Sequence, residues 1–246
     1  MARIRLGPVN LDIYSIETIL QTLEGFIATR SPSQIVTLNS LMFNLALRDA
    51  PFANAVSSAA LIIPDSSGIK WAAGFLTGSR TEKVAGIDLL ELLCQTAAER
   101  GYGVFFLGAK PDVAQGAAGK LSAKFVGLKV LGTHHGYFTK DNDGDIIALI
   151  RDKAPDILFV GLDMPRQELW ISGNLAKLNV PVVMGVGGSF DVISGRLRRA
   201  PEFLRRLHLE WFFRLFQQPW RITRMIDLPL FVFNVIRIGK RPASSI

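Results

Sequence analysis

The run Leu61-Ile62-Ile63-Pro64 leads directly into Asp65. A carboxylate at the end of a buried strand can take a proton from an alcohol, or it can cap a helix or turn. Thr37 and Asn39 close an earlier apolar run, Gln34-Ile35-Val36-Thr37-Leu38. Their hydroxyl and amide suit hydrogen bonding to a sugar, and the same pair would serve a capped helix start. A third stretch, Val182-Val183-Met184, turns through Gly185-Val186-Gly187-Gly188-Ser189-Phe190-Asp191. Glycines directly after a strand let backbone N–H groups approach a phosphate closely. The spacing matches neither G-x-G-x-x-G nor G-x-x-x-x-G-K-[ST], so the reading is anion or nucleotide contact without a dinucleotide signature.

Other polar clusters carry less. Asp141-Asn142-Asp143-Gly144-Asp145 has an acid-x-acid spacing that could hold a divalent ion, but it lacks the remaining calcium-loop ligands and sits where a helix needs a turn. His134 and His135 are adjacent and point in different directions, and no Cys/His cluster completes a metal site. No metal and no cofactor are expected. Cys94, in a helical pattern, reads as core.

Short apolar strands alternating with helical patterns hold these residues. Arg3–Leu6 and Val9–Tyr14 flank Gly7-Pro8 as a small β-ribbon, and Ser15 caps a helix through Ala28. Strands follow at 34–38, 60–63, 104–107, 128–131, 157–160 and 182–184, with helices between them. This pattern predicts a Rossmann-like α/β fold, a parallel sheet with helices on both faces. Ligands then gather at the carboxyl ends of the strands, where Thr37, Asn39, Asp65 and the glycine turn all fall.

Beyond Gly195 the composition changes. The segment from Arg196 carries eleven Lys/Arg against three acids, a balance of +8, so within a net charge of +7 the first 195 residues carry −1. Leu204, Leu207, Trp211 and Leu215 share one helical stripe, and Phe203, Phe212, Phe213 and Phe216 extend the apolar surface beyond it. Pro219 opens a second helix that makes Arg221 and Arg224 neighbours. Residues 1–195 therefore read as an α/β catalytic domain, and 196–246 as a helical, basic-aromatic appendage that associates with a membrane surface. The apolar excess also leaves room for a homo-oligomer. No recognition motif accompanies the basic cluster, so nucleic acid is not expected. No apolar run is long enough to span a bilayer, no signal peptide opens the chain, and the single cysteine agrees with a reducing cytoplasm.

In order and spacing these motifs resemble the WecG/TagA/CpsF family of bacterial glycosyltransferases. The matching stretches are Val36-Thr37-Leu38-Asn39, Ile63-Pro64-Asp65, Gly86-Ile87-Asp88-Leu89, His134-His135-Gly136-Tyr137-Phe138, Pro165-Arg166-Gln167-Glu168, Gly185–Asp191 and Arg199-Ala200-Pro201 with Glu210-Trp211. Within the family the chain looks most like the glucosyltransferase of xanthan-type exopolysaccharide assembly. The resemblance implies inverting transfer from a UDP-sugar, UDP-glucose by that analogy, to a polyprenyl-diphosphate-linked sugar, peripherally at the cytoplasmic face of the inner membrane. An N-acetylmannosaminyl or other hexosyl donor is the alternative, and a non-catalytic membrane-surface binding protein the competing class. Asp65 would be the general base, with Thr37, Asn39 and Gln167 lining the site. Gly185, Gly187, Gly188 and Asp191 would help hold UDP, and Arg214, Arg221 and Arg224 would meet a diphosphate. Two departures flank the sugar site: Ser66 stands where the family has glycine, and Ser40-Leu41 where many members carry a proline or an acid.

Overall fold

A computed structural model describes residues 2–207, 209–219, 222 and 227–239 of the chain. Strands β1 (Ala2–Leu6) and β2 (Val9–Ile13) form an antiparallel ribbon, and α1 (Ile16–Ala28) starts at Ser15, whose Oγ accepts from the Thr18 N–H. There follow β3 (Ser33–Leu38), α2 (Ser40–Ala46), α3 (Ala50–Ser57), β4 (Leu61–Pro64), α4 (Ser67–Thr77) and α5 (Gly86–Arg100). Next come β5 (Gly103–Gly108), α6 (Val113–Lys124), β6 (Lys129–His134), α7 (Asp143–Lys153), β7 (Ile157–Gly161), α8 (Arg166–Leu178) and β8 (Val182–Gly185). The short α9 (Ser189–Ile193), α10 (Glu202–Arg206) and α11 (Glu210–Gln217) precede α12 (Asp227–Gly239).

The six-stranded sheet runs β4-β3-β8-β7-β5-β6, and its pairs are parallel, as the alternating strand and helix pattern predicts. Side chains alternate strictly between faces. Ile35, Phe106, Phe159 and Met184 pack with α1, α5, α6 and α9 on one face. On the other, Val36 and Ile62 pack with α2, α3 and α4, while Phe105, Leu158 and Val183 pack with α7 and α8.

This layering creates the crevice. Neighbouring strands β3 and β8 send their following helices, α2 and α9, to opposite faces of the sheet. The chain thus parts above their carboxyl ends, where open α/β sheets bind ligands.

The edge strand β4 is covered by the ribbon. Buried Asp12 accepts the Ile62 N–H at 2.8 Å and is gripped by Arg3 through two bonds of 2.8 and 2.9 Å. An otherwise open strand edge is thereby satisfied by a paired carboxylate.

Two local expectations need correction. The stripe from Leu204 to Leu215 is not one helix: α10 ends at Arg206 and α11 begins at Glu210, with Leu209 N–H bonded to Leu204 O between them. The strand expected at 128–131 extends instead to His134, because β6 continues its ladder with β5 past a register shift after Val104. The helix expected from Pro219 lies largely outside the described residues, as do Arg221 and Arg224.

Helix α12 packs into the body. Phe231 and Val235 are buried with Phe43 of α2 and Ile69 of α4, and the Phe231 ring meets Phe43 edge-on at 5.3 Å. Asn44 donates to the Asp227 carbonyl at 2.7 Å and accepts from Asn234 at 3.1 Å, fixing the start and middle of the helix.

Candidate active site

A cavity of about 670 Å³ opens at the crevice between β3 and β8. Thr37, Asn39, Asp65, Gln167, Gly185, Gly187, Gly188 and Arg214 all line it, so the tertiary fold brings together residues 177 positions apart in the chain (37 to 214). Asp191 is not in the lining. It lies in α9, where its carboxylate pairs loosely with Arg196 at 3.9 Å.

Asp65 leaves the sheet just past β4, with its N–H still bonded to Leu38 O at 2.9 Å. It does not cap α4: Ser66 does, accepting the Ile69 N–H at 3.3 Å. Asp65 Oδ1 instead accepts the Gly86 N–H at 2.7 Å, at the first residue of α5. Burial pushes the Asp65 carboxyl above its ordinary range. The Gly86 bond pulls it back, as do the charges of Arg214 and Lys83, while Glu210 pushes it up. An aspartate so held is a stronger proton acceptor than an exposed one and still has cations close by.

Thr37 and Asn39 flank the end of β3. Asn39 Oδ1 accepts from Leu41 and Met42 N–H at 3.0 and 3.1 Å, so its oxygen caps α2, and the residue lines the cavity. Ser40 and Ser66 meet in space. Ser40 Oγ lies 3.3 Å from Ser66 Oγ, and both residues line the cavity beside Asp65.

Gln167 acts within the protein. Its Oε1 accepts from Gly187 N–H at 2.8 Å and from Leu162 N–H at 3.3 Å, and its Nε2 donates to Glu168 Oε1 at 2.7 Å. It thus ties the turn after β7 to the turn after β8. A Cβ on Gly185 would collide with the amide end of Gln167, which its hydrogen bonds hold in place, and this close approach explains glycine there. Gly187, at φ +49°, takes a left-handed turn that glycine adopts freely.

Sequence reasoning missed three charged groups. Lys83 and Glu210 line the cavity and pair at 2.8 Å, joining the loop before α5 to the first turn of α11. Glu168 is only 3% exposed, and burial raises its carboxyl to about 7 against the opposing Gln167 bond. Glu210 and Glu168 stood in quoted motifs, yet nothing in their spacing marks a cavity wall, and Lys83 sits in a stretch with no pattern at all. Elsewhere, Asp143 of the acid-rich turn accepts the Trp170 indole N–H at 2.9 Å. Buried Cys94 has its thiol pushed up by burial, an inert core side chain.

Described residues of the segment after Gly195 reach the cavity. Arg199 pairs with Asp88 of α5, and Gln217 closes a two-bond clip on the Arg198 backbone at 2.8 and 2.9 Å. With Lys83 holding Glu210, these contacts bring Trp211, Arg214 and Leu215 to the cavity. Helix α12 adds Leu228, Phe231 and Val232, so one wall is apolar.

The chain matches the glycosyl transferase WecG/TagA/CpsF family over residues 4–245. It belongs to that family. This WecG/TagA/CpsF glycosyltransferase is 33% identical to the N-acetylglucosaminyldiphosphoundecaprenol N-acetyl-beta-D-mannosaminyltransferase of Bacillus subtilis, over 94% of this chain and 89% of the relative. It is 28% identical to the enzyme of the same name from Staphylococcus aureus strain MW2, over 98% of this chain and 94% of the relative. These relatives support the family but not the xanthan-type expectation, since both are named as N-acetylmannosaminyltransferases and neither as a glucosyltransferase. Among the described residues no helix is long and apolar enough to cross a membrane.

Proposed function

We propose that this glycosyltransferase moves an N-acetylmannosamine residue from its UDP-sugar to a polyprenyl-diphosphate-linked N-acetylglucosamine, with inversion. The observation that carries the transfer step is Asp65 at the sheet's ligand edge, and the sugars follow the names of the two relatives. One oxygen is held by Gly86, and the carboxyl is raised by burial in a cavity that Arg214, Lys83 and the glycine turn also line.

In the proposed step, the acceptor hydroxyl attacks the anomeric carbon as its proton passes to Asp65 Oδ2. The bond to the UDP oxygen breaks on the opposite side. Arg214 and Lys83 offset the charge developing on departing UDP, and the N–H groups of the Gly185–Gly188 turn add fixed dipoles. Thr37 and Asn39 hydrogen-bond the sugar. Arg221 and Arg224, outside the described residues, are assigned to the diphosphate by family resemblance. The apolar wall from α12 and Trp211 faces the lipid end of the acceptor, and the segment from 196 onward seats the protein peripherally on the membrane.

The test is a donor screen with a lipid-diphosphate-linked N-acetylglucosamine acceptor, run with and without EDTA. UDP-N-acetylmannosamine should be used at least about tenfold better than UDP-glucose, a gap within reach of a few polar contacts. Faster transfer of glucose would return the donor to glucose, and loss of activity in EDTA would add a metal to the mechanism.

A further inference from the structure

Glu168 is a buried acid at the start of α8 that the proposed chemistry leaves unused. It borders the cavity, its Oε1 accepts from Gln167 Nε2 at 2.7 Å, and its Oε2 is buried without a hydrogen-bond partner among the described residues. A leucine or methionine would fill that space without burying a half-satisfied carboxyl, which is costly.

The partner explains what the acid can do. A primary amide has one accepting end and one donating end, and the two are nearly the same shape. Gln167 must turn its oxygen to the Leu162 and Gly187 N–H groups, because its NH₂ would face them donor to donor. The acceptor that receives the other end is Glu168 Oε1. Backbone closes in on that end too, since no Cβ fits at Gly185 beside Gln167 Nε2.

We infer that Glu168 is a positioning residue, which orients the Gln167 amide so that it holds the Gly187 N–H and sets the glycine turn for the donor's nucleotide. The inference rests on the donor-site reading above for its ligand, but its structural half is testable without any ligand.

The experiment compares full-length wild-type, Glu168→Gln and Glu168→Leu. Hydrogen exchange of the nucleotide-free proteins is followed over residues 186–188, and UDP affinity and the donor KM and kcat are measured. Glu168→Leu removes the acceptor. It should speed exchange of the Gly187 amide and weaken UDP binding, each by about tenfold or more, the scale seen when outer-shell partners are lost. Donor KM should rise more than kcat falls. Glu168→Gln keeps an acceptor oxygen and should stay within about threefold of wild type on every measure. Glu168→Met takes the place of leucine if that variant does not fold.

Wild-type exchange and affinity in Glu168→Leu would overturn the inference. So would equal damage in Glu168→Gln, which would assign the role to the acid itself. If wild-type protein binds no UDP, the donor-site reading falls, while the exchange result still decides the positioning role.

Discussion

At the scale of single residues, the roles proposed for Asp65 and Glu168, two acids of the cavity, pull against stability. Asp65 has a folded-state pKa above its usual value, so the folded protein keeps a proton that the unfolded chain has released. Its effect on stability therefore worsens as pH rises through the window between the ordinary and the raised value. Asp65→Asn keeps an acceptor for Gly86 and carries no charge. It should raise the melting temperature at neutral pH while cutting transfer by about 10²–10⁴, the usual worth of a general base. Transfer by the wild type should fall as pH drops through the raised pKa, since only the carboxylate accepts a proton. Unaltered transfer in Asp65→Asn would remove the base assignment. For Glu168, the folded value of about 7 against the ordinary 4.5 predicts a stability loss spread across that interval and level above it. Melting curves taken from acid to neutral pH should show this slope flattened in Glu168→Gln. The place of Asp65 at a strand end was legible from sequence, but there it could equally cap a helix or turn, and only the family resemblance favoured it as the base. The one at Glu168 was not, because helical spacing does not reveal which side chain ends beside another helix's glycine.

At the scale of elements, α12 couples the end of the chain to the site. Its Phe231 side chain is buried between α2 and α4 and also forms cavity wall. Phe231→Ala should cost about 3–5 kcal/mol by removing a buried aromatic, measured by denaturant unfolding. Activity should fall beyond the loss of folded protein, because the apolar wall goes with it. A purely catalytic loss with unchanged stability would contradict this packing role. The helix could be found in the sequence as an apolar run, but its partners could not. Phe43, Phe231 and Trp71 meet only because α2 and α4 both start at the crevice and leave a seam between them. The break between α10 and α11 was likewise hidden, since the apolar stripe runs through it unbroken in the one-dimensional pattern.

At the scale of the whole molecule, the +8 balance beyond residue 195 and the outward aromatics point the same way. Phe212 and Phe216 of α11 are 54% and 81% exposed, within one turn of cavity-lining Arg214. An apolar patch beside basic groups suits an anionic lipid surface. Phe212→Ser with Phe216→Ser should reduce co-sedimentation with anionic vesicles and leave the unfolding free energy within about 0.5 kcal/mol of wild type, since neither ring is buried. Added salt should weaken the binding of the wild type. Undiminished sedimentation of the double variant would locate the membrane contact elsewhere. Deleting everything after residue 195 would be a poorer test, because it would also pull Phe231 and Val235 out of the core.

The sequence by itself determined the layered α/β architecture, the ligand edge and Asp65 as the acid on it. Those features follow from local periodicity and from strand ends, which each short stretch carries on its own. Tertiary structure alone decided that Gln167 braces two loops, that Lys83 and Glu210 tie α11 over the cavity, and that Ser40 and Ser66 touch. Such pairings join residues whose separation in the chain says nothing about their separation in space. They exist only once six parallel strands have put every carboxyl end on one side of the sheet.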